Sequence, residues 1–238
     1  ENFWLDDLKI VTKQDGVRIY SHKQQDSNTS MFLLSAGVSI PPFGIIKSVK
    51  GRLQHLISSR QPKAFSRNYS IHSVGETRSD EIERYVATQL DHHRMSDPKT
   101  EQAFRKAQLD NHGIDLNKDR KSAHGIFTHN LHIVIVNAHR YIETDPDILA
   151  QTSRIVRAVA DKKKHLLSKV TPAPGHFHLT VGCGIEDAPG DVALGYMNNL
   201  VFARQMRPIY QNGFYVATFG RYDLGAIFNN LKNDSLAK

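Results

Sequence analysis

The sequence predicts an α+β protein built of two similar halves, and three observations carry that prediction. Strand-like and helix-like patterns alternate along the 238 residues, and the alternation runs through its order twice. "NYSIHSVGE" at 68–76 and "GFYVATFGR" at 213–221 each join an aromatic to a β-rich stretch closed by a glycine. "LLSAGVSIPP" holds the place in the first half that "HFHLTVGCGI" holds in the second. Strand, helix, strand, strand, helix, strand is the order of a ferredoxin-like unit of βαββαβ type. Two such units, each covering exposed edges and faces of the other, predict a pseudo-twofold dimer within one chain.

The first unit spans residues 1–93. "MFLLSAGVSI" is an apolar strand, closed by Pro41 and Pro42, which cannot donate to a ladder. In "IIKSVKGRLQHLIS", Ile46, Val49, Leu53 and Leu56 recur at helical spacing. "NYSIHSVG" predicts a strand. "SDEIERYVATQL" predicts a helix with Ile82, Val86 and Leu90 on one stripe and Thr77 or Ser79 as its cap. Residues 94–122, with Pro98, Gly113 and many charges, predict a polar linker holding one short helix over Pro98–Gln108.

The second unit spans residues 123–238. "GIFTHNLHIVIVNAH" predicts one long strand. Asp145 and Pro146 supply a cap and a proline at the first helical position. The helix that follows carries Ile148, Thr152, Ile155, Val156 and Val159 on one face. "HLLSKV" and "HFHLTVG" are strands. "DVALGYMNNLVFARQM" is a helix with Ala193, Met197, Leu200 and Val201 aligned, and "FYVATFG" closes the unit.

Composition bounds the function. A net charge of +7 and a pI near 9.4 favour a polyanionic partner such as nucleic acid. No apolar run approaches the ~18 residues a membrane span needs. A single cysteine, Cys183, excludes a disulfide within the chain and a cysteine-built zinc site. A reducing, cytoplasmic setting of a bacterial or archaeal kind is expected, and no signal peptide is read at the start of the chain.

Along a strand, side chains alternate faces, so His176 and His178 point the same way while Phe177 points into the core. Two imidazoles so placed can share a metal ion, or form a plain strand pair. In the first half, Leu33 and Ser35 stand in their places. Tyr85 and Gln89 are four apart on their helix and face one side.

"AFSRNYSIHSVGETRSDEIERYVATQ", "GVSIPPFGIIKSVKGRL" and "HFHLTVG" together resemble the HUH-type (His-hydrophobe-His) single-strand insertion-sequence transposases, which include the REP-associated tyrosine transposases. The resemblance covers nearly the whole chain outside the linker, and the Tyr-Val-Ala-Thr-Gln helix is its most specific part. It departs at Asn68, where the family has glycine, and in the absence of an evident opening strand and helix ahead of "LKIVTKQDGVRIYSHK". The family is dimeric, with the paired histidines of one subunit meeting the tyrosine helix of the other. The resemblance therefore implies a fused pseudo-dimer, acting as a monomer, with one composite site. It assigns Tyr85 as a nucleophile forming a 5′-phosphotyrosine. It also implies Mg²⁺ or Mn²⁺ held by His176, His178 and Gln89, and single-stranded or hairpin DNA as the partner.

Lys47, Lys50, Arg52, Arg67 and Arg140 are the cations expected to touch DNA, with Lys162–Lys164 as further candidates; each singly also fits a solvated charge. Tyr210, Tyr215 and Tyr222 compete as nucleophiles; Tyr215 reads as a structural strand residue and Tyr222 as the best rival. Two other readings stay open: a catalytically inactive DNA-binding relative, and a two-histidine phosphoesterase, for which a second His-x-Ser/Thr strand is missing.

Overall fold

The computed structural model describes residues 3–93, 95, 97–203 and 209–227. In chain order its main elements are α1 (Leu5–Gln14), β1 (Val17–Gln24), β2 (Ser30–Ala36), α2 (Pro42–Ile57), β3 (Tyr69–His72) and α3 (Ser79–Ala87), followed by a 3-10 turn at Gln89–His92. Then come α4 (Pro98–Ala107), β4 (Leu109–Asp110), β5 (Arg120–Lys121), β6 (Gly125–Thr128) and β7 (Asn130–Val136). The chain continues through α5 (Pro146–Lys163), β8 (Leu166–Ala173), β9 (His176–Gly182), α6 (Pro189–Ala203) and β10 (Tyr215–Phe219). The fold is α+β, as the alternating patterns predict. No helix among the described residues is long and apolar enough to cross a membrane.

The second half is a complete βαββαβ unit. Its sheet runs β10-β7-β9-β8, antiparallel throughout, with β4 added at the β8 edge. Alternation sends Leu131, Ile133, Ile135, Phe177, Leu179 and Val181 to one face, where Val156 and Val159 of α5 and Tyr196 and Leu200 of α6 bury them. Asp145 caps α5 by accepting from the backbone N–H of Asp147 and Ile148, with Pro146 in its first turn. The predicted extension of α6 to Met206 falls on residues 204–206, outside the described residues.

The first half follows the same order from its helix onward. Leu8, Val17, Ile19, Val49, Leu53 and Ile57 make a separate core between α1, α2 and the β1–β2 hairpin. No strand precedes α1 among the described residues, so β3 has no partner within its own half. It pairs instead, in parallel, with β6. The predicted long strand is thus divided at His129: β6 serves the first half's β3, and β7 serves the second half's sheet. His129 is buried at the break, and its carbonyl accepts from the Cys183 N–H at 2.7 Å.

Beyond β3 and β10 the two halves cross, and three pairs of contacts there recur with the halves exchanged. Gly75 bridges Asp223 while Arg78 bridges Gly220. The Ser79 N–H donates to the Gly220 carbonyl and the Leu224 N–H to the Gly75 carbonyl, both at 2.8 Å. The Ser73 hydroxyl donates to the Phe219 carbonyl at 2.7 Å, and the Thr218 hydroxyl to the Val74 carbonyl at 2.6 Å. These contacts join like positions of the two halves. The close approach requires glycine, because a Cβ at Gly75 would meet the Thr218 carbonyl oxygen and one at Gly220 the Ser73 carbonyl oxygen. The crossing also corrects the expected cap of α3. Neither Thr77 nor Ser79 caps it by a side chain; the first helical N–H, that of Ser79, is satisfied by Gly220 from the other half.

Residues 94–122 connect the halves but do more than a polar linker would. Ala103, Phe104 and Ala107 of α4 are buried against Leu90, Leu149 and Ala173, and β4 extends the central sheet. The apolar positions are few, yet they lie on one side of a short helix whose other residues are mostly polar or charged.

Candidate active site

The same alternation that buries Phe177 places His176 and His178 of β9 on the sheet face away from α5 and α6. There α3, from the other half, is laid against them. Tyr85, 43% exposed, stands edge-on to the His178 ring, with centroids 5.6 Å apart. One turn on, Gln89 is buried at the start of the 3-10 turn, and its Nε2 donates to His93 Nε2 at 3.3 Å. The His93 ring lies 5.4 Å from that of His176. Tyr85, Gln89, His176 and His178 therefore come together in one place, from the two halves.

Polar anchors fix α3 on this face. The Thr171 hydroxyl donates to the Val86 carbonyl at 2.7 Å, and Gln108 Nε2 donates to the Ala87 carbonyl at 3.1 Å, occupying carbonyls at the helix end. A bulge in β8 between Leu167 and Lys169 lets two successive residues reach the same carboxylate. Ser168 donates to Glu83 at 2.5 Å, and Lys169 stands 3.8 Å from Glu83 and 2.6 Å from Asp110.

The site holds residues the sequence reading passed over. His132 of β7 is 6% exposed, and its Nε2 lies 3.0 Å from His178 Nδ1. Its position among Asn130, Val134 and Val136, opposite the apolar Leu131, Ile133 and Ile135, was the available signal. His93 continues the Tyr85–Gln89 spacing by another four residues, a visible pattern. Tyr215, read as structural, is 56% exposed and edge-on to His132 at 5.8 Å. Tyr210 is buried and packs on Phe177. Tyr222 is exposed and makes no ring contact with these histidines.

Burial sets the charge of the cluster. It pushes the His178 imidazole down to about 3, helped by its neighbours His132, His176 and His93, and the His132 imidazole down to about 4. Burial also lowers His176, partly opposed by its hydrogen bond to the Pro174 carbonyl and reinforced by His93. All three are neutral near pH 7, the form in which imidazole ligates metal.

No family model and no curated protein matches the chain. Among the solved structures similar to parts of it are two transposases. A candidate transposase from Deinococcus radiodurans R1 aligns with a TM-score of 0.39 and 14% identity, over 48% of this chain and 96% of that one. A REP-associated tyrosine transposase bound to a REP hairpin aligns with a TM-score of 0.34 and 10% identity, over 43% of this chain and 61% of that one.

The donor set suits a hard or borderline divalent cation. Gln89 Oε1 and His178 Nε2 are both buried without a hydrogen-bond partner, a costly condition that a shared cation would relieve. With His176 Nδ1 donating to the Pro174 carbonyl at 3.2 Å, its Nε2 keeps a lone pair. Among the described residues no three His, Cys, Asp or Glu side chains are grouped to hold an ion. A cation here would therefore rest on two imidazoles and one amide oxygen, leaving positions open for a substrate.

The cations expected at DNA divide into two kinds. Lys50 and Arg52 are engaged within the chain. Lys50 donates to the carbonyls of Ser66 and Asn68 at 2.8 and 2.9 Å, pinning the approach to β3, and Arg52 pairs with Asp15 at 2.7 Å. Lys47 is exposed and lies over the Phe43 ring, while Arg67 and Arg140 are exposed. Arg140 backs onto Gly175, immediately before His176, and so flanks the histidine end of the site.

Proposed function

We propose that this protein nicks and rejoins single-stranded DNA through a covalent 5′-phosphotyrosine, in a metal-dependent, transposase-like reaction at one composite active site. The observation that carries the reading is the meeting of Tyr85 and Gln89, from the half without the paired histidines, with His176 and His178, from the half whose sequence has no Tyr-x-x-x-Gln segment. The two halves then act as an internal dimer in a single, cytoplasmic, DNA-associated chain.

In this reaction the Tyr85 oxygen attacks the phosphorus of a phosphodiester. A tyrosyl–phosphorus bond forms as the bond to the 3′ oxygen breaks; the phenolic proton leaves to solvent and the departing oxygen takes one up as a 3′-hydroxyl. Attack by a 3′-hydroxyl on the phosphotyrosine reverses these steps and restores the strand. His176, His178 and Gln89 are the residues that would hold Mg²⁺ or Mn²⁺, which when bound supplies Lewis-acid neutralisation of the phosphate. The neutral donors add no negative charge to oppose an incoming phosphate. Arg140 and Arg67, free at the surface, offer contacts to a single-stranded or hairpin backbone.

The test is adduct formation on a labelled pool of single strands and hairpins, run on denaturing gels with Mg²⁺ or Mn²⁺. The expected result is a covalent adduct with the wild-type protein and none with Tyr85→Phe, which keeps the ring and loses the hydroxyl. An adduct that persists in Tyr85→Phe would move the nucleophile, with Tyr215 and Tyr222 next. DNA binding without any nick would make the chain an inactive relative.

A further inference from the structure

His178 and His132 share one hydrogen bond, and its direction decides what His178 can do. A neutral imidazole carries one proton, so one ring nitrogen donates and the other accepts. If His132 Nε2–H donates, His178 accepts on Nδ1 and carries its own proton on Nε2. That places an N–H where no acceptor exists, because His178 Nε2 is buried without a partner, and it removes the lone pair a cation would need. If His178 Nδ1–H donates to His132 Nε2 across the 3.0 Å contact, Nε2 is left with its lone pair facing the site. The two rings lie within 12° of a common orientation and both are almost fully buried, so neither is free to turn away.

Resting on the metal-dependent reading above, we propose that His132 is a positioning residue that holds His178 in the Nδ1–H form and thereby presents His178 Nε2 to a divalent cation. A neighbour that accepts from the far nitrogen of a ligating histidine fixes both its tautomer and its ring orientation. His132 suits this role because β7 and β9 are adjacent, paired strands, so its position relative to His178 is set by the sheet itself. It lies outside the Tyr85, Gln89, His176 and His178 set and would touch neither cation nor DNA phosphate.

Two measurements test it. Nitrogen-15 imidazole spectra of the metal-free wild-type protein should find the His178 proton on Nδ1; a proton on Nε2 would overturn the proposal, and this readout needs no variant to fold. Mn²⁺ titration followed by electron paramagnetic resonance compares the wild type with His178→Ala, His132→Leu and His132→Gln. His132→Leu should weaken Mn²⁺ binding about 10–100-fold, the usual cost of losing such a neighbour, while His132→Gln, whose amide oxygen can accept the same proton, should recover most of it. Wild-type Mn²⁺ affinity in His132→Leu, with His178→Ala weakened, would overturn the positioning role and leave the metal site standing. Equal binding by wild type and His178→Ala would remove the metal site itself and the proposal with it.

Discussion

Acidifying the metal-free protein should destabilise it through its buried histidine pair. In the unfolded chain both imidazoles titrate near 6.5. In the folded protein burial holds His178 down to about 3 and His132 down to about 4. At pH 7.5 both states are neutral and the pair contributes no pH dependence. As pH falls below 6.5 the unfolded chain takes up protons that the folded one refuses, so stability is lost down to about pH 4–3 and not regained. At pH 5 each group is about 1.5 units below its unfolded midpoint, worth ~2 kcal/mol. The pair then amounts to at most ~4 kcal/mol, a large share of the stability of an ordinary domain. His22, His129 and His176 are also lowered by burial and push the same way, so the comparison must be a difference. Urea unfolding with chelator at about pH 7.5 and pH 5 should find a wild-type loss about 2–4 kcal/mol larger than that of a His132→Gln, His178→Gln double variant. Equal losses in the two proteins would refute the claim that these imidazoles are kept neutral by burial.

Other expectations rest on single contacts. Gly220→Ala would drive a methyl group into the Ser73 carbonyl and should cost about 1–3 kcal/mol in urea unfolding, with Gly75→Ala similar because its contact is the mirror of the first. Thr171→Val leaves the Val86 carbonyl without its buried donor; a loss of ~1–3 kcal/mol is expected, together with slower adduct formation because the tyrosine helix is held less firmly. Arg67→Ala and Arg140→Ala should each weaken single-strand binding and reduce its salt slope by about 0.7, if each meets one phosphate. Arg52→Ala, whose charge is engaged by Asp15, should leave that slope unchanged and cost only ~0–1 kcal/mol of stability.

Much of the local structure was legible in the sequence because it is written in short-range chemistry. The His-x-His strand emerged as β9 over His176–Gly182, and Asp145–Pro146 opened α5, since alternation and capping depend on neighbours along the chain. The one-sided placement of His176 and His178 followed from the strand period, whereas the predicted helix through Leu90 stops at Ala87 and Gln89 lies in the 3-10 turn beyond it. What periodicity could not supply was the partner of each free edge and each buried polar atom. The "GIFTHNLHIVIVNAH" run is extended throughout its strand-like part, yet it serves two sheets, because β3 finds no strand within its own half and takes β6. The first turn of α3 looked like one that Thr77 or Ser79 would cap; a carbonyl from the other half does it. Lys50 and Arg52 looked like free cations until the fold brought Ser66, Asn68 and Asp15 to them. His132 shares a strand face with Asn130, and only strand pairing put it against His178. Local sequence thus determined the conformation of each segment and the face each side chain occupies. The tertiary structure alone decided which faces meet, because a hydrogen bond or a buried charge is settled by groups close in space, however far apart they lie along the chain.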